Sequence, residues 1–161
     1  MMVDNLQSEI ARYLNRVSCS ALSGKASRRL FAFSAVVDDI ERIGDRAVNL
    51  AGLAKFKHES KADFSSEPEV ELEEISRLVF ENLNDTAAIM KQGNKLLIKD
   101  ISDLDTMIDT KIQDALQNRL MRLRLRTCEA EAGPVFVDVL INLERISDLC
   151  KNIDTNFENL D

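Results

Sequence analysis

Glu41 and Asp45 stand four residues apart, and so do Glu144 and Asp148. That spacing puts both carboxylates of a pair on one face of a helix. Like charges so placed cost an isolated helix roughly 0.2–0.5 kcal/mol. The chain carries the arrangement twice, at an offset of 103 residues. Clustered oxygen donors suit a hard cation such as Mg²⁺, Mn²⁺, Ca²⁺ or iron. Two carboxylates make a poor site, so further ligands must come from a neighbouring helix. Asp105 and Asp109, again four apart, come level with Glu144 and Asp148 if their helices fold into an antiparallel hairpin. By the same folding Asp4 comes level with Glu41. For any single pair the competing reading is a solvated helix face; the matched repetition is what favours a divalent or iron-type ion.

Other chemistry is scarce. The one histidine, His58, sits at a helix end in a polar connection, which leaves no His-based relay for a nucleophile. Glu-x-x-His motifs of oxidative di-iron bundles are absent, as are GxSxG, Walker and GxGxxG patterns. A carboxylate-only metalloenzyme of helical-bundle type is the catalytic rival that survives, and a purely structural adaptor is the other. The charge balance, 21 basic against 28 acidic residues for a net −7, argues against a nucleic-acid partner. Cys19, Cys128 and Cys150 form no CxxC, so they are expected to be reduced, small buried residues in a cytosolic setting. Arg119, Arg122, Arg124 and Arg126 form a basic patch, expected to be a solvated face that pairs with a helix dipole. Its functional alternative is contact with an acidic partner, anionic lipid or phosphate.

The elements that must position these groups are helical. A chain of 161 residues with only 5 Gly and 2 Pro has too few turn formers for an all-β or α/β fold. Apolar spacing predicts five helices: Val3–Val17, Lys25–Lys57, from about Pro68 to Ile98, Ile101–Thr127 and Pro134–Phe157. Ser66-Glu67-Pro68-Glu69 has the form of a capping box. Lys99-Asp100 is expected to be a short break, with Asp100 capping the fourth helix. Tyr13 and the seven Phe are scattered and are assigned to the core. No apolar run approaches the roughly 20 residues that span a bilayer, and no signal peptide is apparent at the start.

The second and fifth helices are copies. Phe33, Val36, Ile40, Ile43, Ala47, Leu50 and Ala54 fall on Phe136, Val139, Leu143, Ile146, Cys150, Ile153 and Phe157. Glu41-Arg42-Ile43-Gly44-Asp45 parallels Glu144-Arg145-Ile146-Ser147-Asp148, and Asn49 parallels Asn152. The first and fourth helices match less closely, with Leu6, Gln7, Ile10, Leu14 and Val17 on Ile112, Gln113, Leu116, Leu120 and Leu123. The predicted architecture is an all-α antiparallel bundle of tandem repeats: 1–58 with two helices, a linker over 59–68, and 69–161 with three. The first repeat lacks a counterpart of the third helix. The chain therefore reads as starting partway into its first repeat, and apolar stripes on its first two helices are expected to lie uncovered and to favour a homo-oligomer.

Asp39-Ile40-Glu41-Arg42-Ile43-Gly44-Asp45-Arg46-Ala47-Val48-Asn49-Leu50-Ala51, and Asn142 through Asp148 with Asn152-Ile153, resemble the signature of the PhoU family. The resemblance covers nearly the whole chain. It implies a twofold repeat of a three-helix unit, metal clusters on E(D)xxxD pairs, regulation of phosphate uptake and signalling, and no enzyme activity. Glu41, Asp45, Glu144 and Asp148 match the signature pairs, and Asp105 and Asp109 match the pair on the preceding helix. Asp4 is what remains of that second pair in the first repeat. Leu149-Cys150-Lys151 departs from the usual small and polar residues, which weakens the second metal site. Similar modules form the cytosolic C-terminal part of bacterial sodium/phosphate cotransporters, and the shortened first repeat suits such a tail. The expected setting is then cytoplasmic, tethered to the inner face of the membrane. The expected partner is the transporter membrane domain or a phosphate-signalling protein. The alternative is a free-standing phosphate-signalling regulator.

Overall fold

A computed structural model describes residues 2–60, 64–92, 97–125 and 132–158, with backbone alone over 97–100. These residues form five helices: α1 (Met2–Ser18), α2 (Gly24–Ser60), α3 (Ser66–Gln92), α4 (Leu97–Leu125) and α5 (Ala132–Glu158). The all-α architecture is as predicted. Ser23 starts α2: its Oγ accepts from the Ala26 amide at 3.3 Å and its carbonyl from the Ser27 amide at 2.9 Å. At α3 the cap falls on Ser65, whose carbonyl takes the Glu69 amide at 3.4 Å, one residue before the expected Ser66. Pro68 stays in the first turn, where its missing N–H costs nothing. His58 lies in the last turn of α2 and is exposed, as its helix-end reading requires.

The predicted break at Lys99-Asp100 is wrong. Both residues lie inside α4, which begins at Leu97, so Asp100 is no N-cap. Asp100 could cap or turn, but Lys99 is a good helix former and one Asp does not break a helix whose neighbours continue it.

The core belongs to α3, α4 and α5. Ile75, Leu78 and Val79 of α3 meet Ile108, Ile112 and Ala115 of α4 and Phe136, Leu140, Leu143, Ile146 and Cys150 of α5. α2 lies along α5, burying Ala32 and Val36 and adding Ile43 and Leu50 at the edge of this cluster. α2 and α5 run antiparallel, with Phe33 edge-on to Phe157 at 6.5 Å between ring centroids. Among the described residues α1 packs on α2 alone, and it has no buried residue. The two matched seams therefore have different fates. That of α5 is buried or half-buried throughout, whereas on α2 only Val36 is fully buried. The stripes on α1 and α2 are uncovered, as expected.

That exposure corrects two assignments. Tyr13, Phe31, Phe33, Phe56 and Phe80 are exposed, so most of the aromatic rings do not form core; Phe136 does. Cys19 is exposed, because α1 offers no interior, while Cys150 is fully buried and Cys128 lies outside the described residues. Burial pushes the Cys150 thiol up to about 12, which leaves it inert at neutral pH. Among the described residues, no helix is long and apolar enough to cross a membrane.

Candidate functional site

The two hairpins fold in registers that agree to within one turn. In the first, Val3 packs where a Cβ on Gly44 would meet it at 3.7 Å, and Gln7 Nε2 donates to Asp38 Oδ1 at 2.9 Å. In the second, Ser147 holds the Gly44 position and faces α4, its Oγ donating to Asp105 Oδ1 at 2.8 Å. Antiparallel packing thus brings the acids of α4 up to those of α5, as the spacing predicted.

Asp105 is the anchor. It is 1% exposed, yet its charge is satisfied: besides Ser147 it accepts from Lys151 Nζ at 2.6 Å. That hydrogen bond, followed by the Asp105 charge, raises the Lys151 pKa. Asp109, Glu144 and Asp148 lie further out. Asp109 is raised by partial desolvation, then by the charges of Asp105 and Asp148, with Lys151 opposing. Glu144 is raised by desolvation, then by Asp148 and Asp109, with Arg145 opposing. Asp109 feels Asp105 and Asp148, and Glu144 feels Asp148 and Asp109, so the four carboxylates lie close enough to form one electrostatic cluster. Arg145 Nη1 reaches Asp148 Oδ2 at 3.2 Å and neutralises part of it.

The first repeat assembles less. Glu41 is half-buried, Asp45 exposed and Asp4 half-buried. The 106-residue offset that aligns Leu6 with Ile112 puts Val3 at the place of Asp109, with Asp4 one residue along, against Thr110. An apolar residue therefore stands where the second repeat carries an acid.

As the side chains stand, no group of three His, Cys, Asp or Glu among the described residues is placed to hold a metal ion. The donor set of the second repeat nonetheless suits a hard cation: oxygen-only, partly desolvated and mutually repulsive. Lys151 already supplies one positive charge to it, at Asp105.

The PhoU domain profile matches residues 2–54 and 72–155, which is most of the chain. The chain belongs to the PhoU domain family. Its fold is similar to the crystal structure of PhoU from Pseudomonas aeruginosa, with a TM-score of 0.89 at 21% identity. The match covers 99% of this chain and 76% of that one. No curated protein matched the sequence.

Within this PhoU domain, the residues that pattern reading missed are polar ones in apolar seams. Asn82 Nδ2 donates to Ser147 Oγ at 2.9 Å, extending the chain Lys151–Asp105–Ser147 into α3. Thr86 Oγ1 donates to Asp154 Oδ2 at 3.1 Å. Asn82 and Thr86 are four apart on the α3 stripe, and that spacing of polar residues at core positions was the available signal. Asp154 is 2% exposed, and burial pushes its pKa up to about 6. The expected basic patch at the end of α4 is not a free surface. Arg122 is buried, forks onto Glu71 at 2.9 and 2.8 Å, and lies 5.8 Å from the Phe136 ring centroid. Arg119 is half-buried and lies against Gly133. Arg124 is exposed, and Arg126 lies outside the described residues.

Proposed function

We propose that this chain is a non-enzymatic regulatory module of phosphate transport or signalling, acting by binding, and that it works as the cytosolic tail of a sodium/phosphate cotransporter. The observation that carries the reading is the PhoU signature, present twice on antiparallel hairpins whose registers agree to within one turn. Its partner is the transporter membrane domain, in keeping with a first repeat of two helices whose apolar face is uncovered. The free-standing regulator stays as the second reading, supported by the match to a PhoU chain of which this sequence covers 76%. Phosphate uptake by cells making the cotransporter core, with and without this module attached, is the test. Uptake that changes with external phosphate only when the module is attached supports the tail. Restoration of phosphate control by the separate module favours the free-standing regulator.

The acid cluster adds a cation to this reading. Asp109, Glu144 and Asp148 would hold it, with Glu41, Asp45 and Asp4 a lesser site, and a bound ion would relieve their mutual repulsion. Elemental analysis of purified wild type and of a Glu144→Ala/Asp148→Ala variant tests this. Metal in the first and not in the second is the expected result. No metal in either leaves the cluster a purely electrostatic feature of a helical adaptor.

A further inference from the structure

The antiparallel crossing of α2 and α5 builds a second charged site, opposite in sign to the acid cluster. Counting inward from the Phe33–Phe157 contact, Arg42 comes level with Asp148, and Arg46 with Glu144. The repeat-related pair Arg42 and Arg145 therefore meets near the middle of the crossing. One groove of about 520 Å³ collects Arg42, Arg46, Arg145 and Lys151, with Asp148 and Asn152 beside them.

Most of the donors there are unspent. A guanidinium offers five N–H groups and an ammonium three. Arg42 gives one to Asp39 at 3.4 Å, Arg145 one to Asp148 at 3.2 Å, and Lys151 one to Asp105 at 2.6 Å. The Arg145–Asp148 pair is an exposed contact between residues three apart, worth roughly 0.2–1 kcal/mol, whereas the Arg42–Asp39 contact is long at 3.4 Å and ends on a buried carboxylate, so Arg42 keeps it and offers its other four N–H groups. An anion with several oxygens competes well against the Arg145–Asp148 contact. Lys151 keeps its place, because Asp105 is buried and needs it, and still presents two N–H groups. Four cations drawn from two helices around one compact groove suit a small, multiply charged anion rather than an extended acidic peptide. Guanidinium forks match tetrahedral phosphate oxygens in pairs. Without an anion, Arg42 and Arg145 repel across the groove.

We propose that this groove binds a soluble phosphate-type anion, orthophosphate or pyrophosphate, at a site spanning both repeats. The proposal stands on the groove alone and does not require the metal or the transporter reading.

Calorimetric titration of the purified chain with sodium pyrophosphate and with orthophosphate, at constant ionic strength, tests it. Saturable binding is expected, tighter for pyrophosphate. The Arg42→Gln/Arg145→Gln variant is expected to weaken it tenfold or more, about 1.4 kcal/mol per tenfold. Arg46→Gln should show a smaller loss, and Arg77→Gln on α3 none. Both central arginines are more than half exposed, so the variants should keep their helical circular dichroism; Arg42→Gln also takes the partner from buried Asp39 and should lower the melting temperature, whereas Arg145→Gln alone should leave it unchanged. Three results overturn the proposal: no saturation by about 10 mM of either anion, affinity unchanged in the double variant, or sulfate binding as tightly as pyrophosphate. Retention on phosphatidylglycerol vesicles that the double variant loses would also overturn it, by assigning the groove to a lipid headgroup.

Discussion

Lys151 Nζ lies 2.6 Å from Oδ2 of Asp105, a carboxylate that is 1% exposed. One residue thus decides whether the deepest acid of the cluster is paired internally or left to an outside cation. Lys151→Gln removes that charge and leaves Asp105 with Ser147 alone. Breaking a fully buried pair costs about 3–5 kcal/mol. Lys151 is half exposed, so the expected loss is smaller, about 1–3 kcal/mol. Urea unfolding at pH 7 measures it, and added Mn²⁺ should restore more stability to the variant than to wild type. A variant as stable as wild type would show that water satisfies Asp105 unaided.

Asp154 gives the pH dependence its sign. Its folded pKa, about 6, stands above the model-peptide value of 3.8, so the folded state binds this proton more tightly than the unfolded chain. Stability therefore rises as pH falls from about 6 towards about 4. Above that window the full penalty of a buried carboxylate is present, on the order of 2–3 kcal/mol. Asp39, Asp109 and Glu144 are also raised, first by desolvation, and add to the same slope. Thermal melts should give a higher midpoint at pH 5 than at pH 7.5. Asp154→Asn should raise the midpoint at pH 7.5, leave it nearly unchanged at pH 4.5, and flatten most of the difference. A midpoint that falls on acidification in wild type contradicts the assignment.

Periodicity was enough for the helices and the repeat, because amphipathic stripes and matched acids are local patterns. Pro68 marked a helix start for the same reason, whereas the Ser23 cap was not read. Partners three dimensions away were not legible. Nothing adjacent to Lys151 in sequence says that its amine will lie on Asp105, 46 residues back. Tyr13 and Phe31 look like core by composition; they are exposed because repeat one has two helices where repeat two has three. Arg122 looked like surface charge, and only α3, which brings Glu71 to it, makes it an interior residue. The acid cluster was half legible: the pairs and their level were predictable, their neutralisation by Lys151 and Arg145 was not.

Uneven burial between repeats should appear in local stability. α1 contributes no buried side chain and, among the described residues, contacts α2 alone, whereas α3, α4 and α5 enclose the core. Local openings expose amides in proportion to how little holds them. In hydrogen exchange, α1 should lose protection first, through openings that leave the rest folded. The middle of α5, around Leu143 to Ile153, should exchange only on global unfolding. Equal protection across α1 and α5 would mean that α1 is held by contacts other than those on α2.

Asp148 belongs to both charged sites, and this couples them. It is one of three outer acids of the cluster, and it occupies an N–H of Arg145 in the basic groove. Asp148→Asn removes a negative charge from the groove and releases that guanidinium. If exposed pairs are worth roughly 0.2–1 kcal/mol, pyrophosphate affinity should rise by about 1.4- to fivefold. The same change removes a ligand and a repelling neighbour from Asp109 and Glu144, so cation uptake should fall. By linkage, a cation that draws Asp148 away from Arg145 should tighten anion binding in wild type, and the anion should tighten cation binding by the same factor. Titration of pyrophosphate with and without saturating Mn²⁺ measures the coupling, and it should vanish in Asp148→Asn. Weaker anion binding in that variant would instead mean that Asp148 orients Arg145 towards the groove, and the two sites would then be independent.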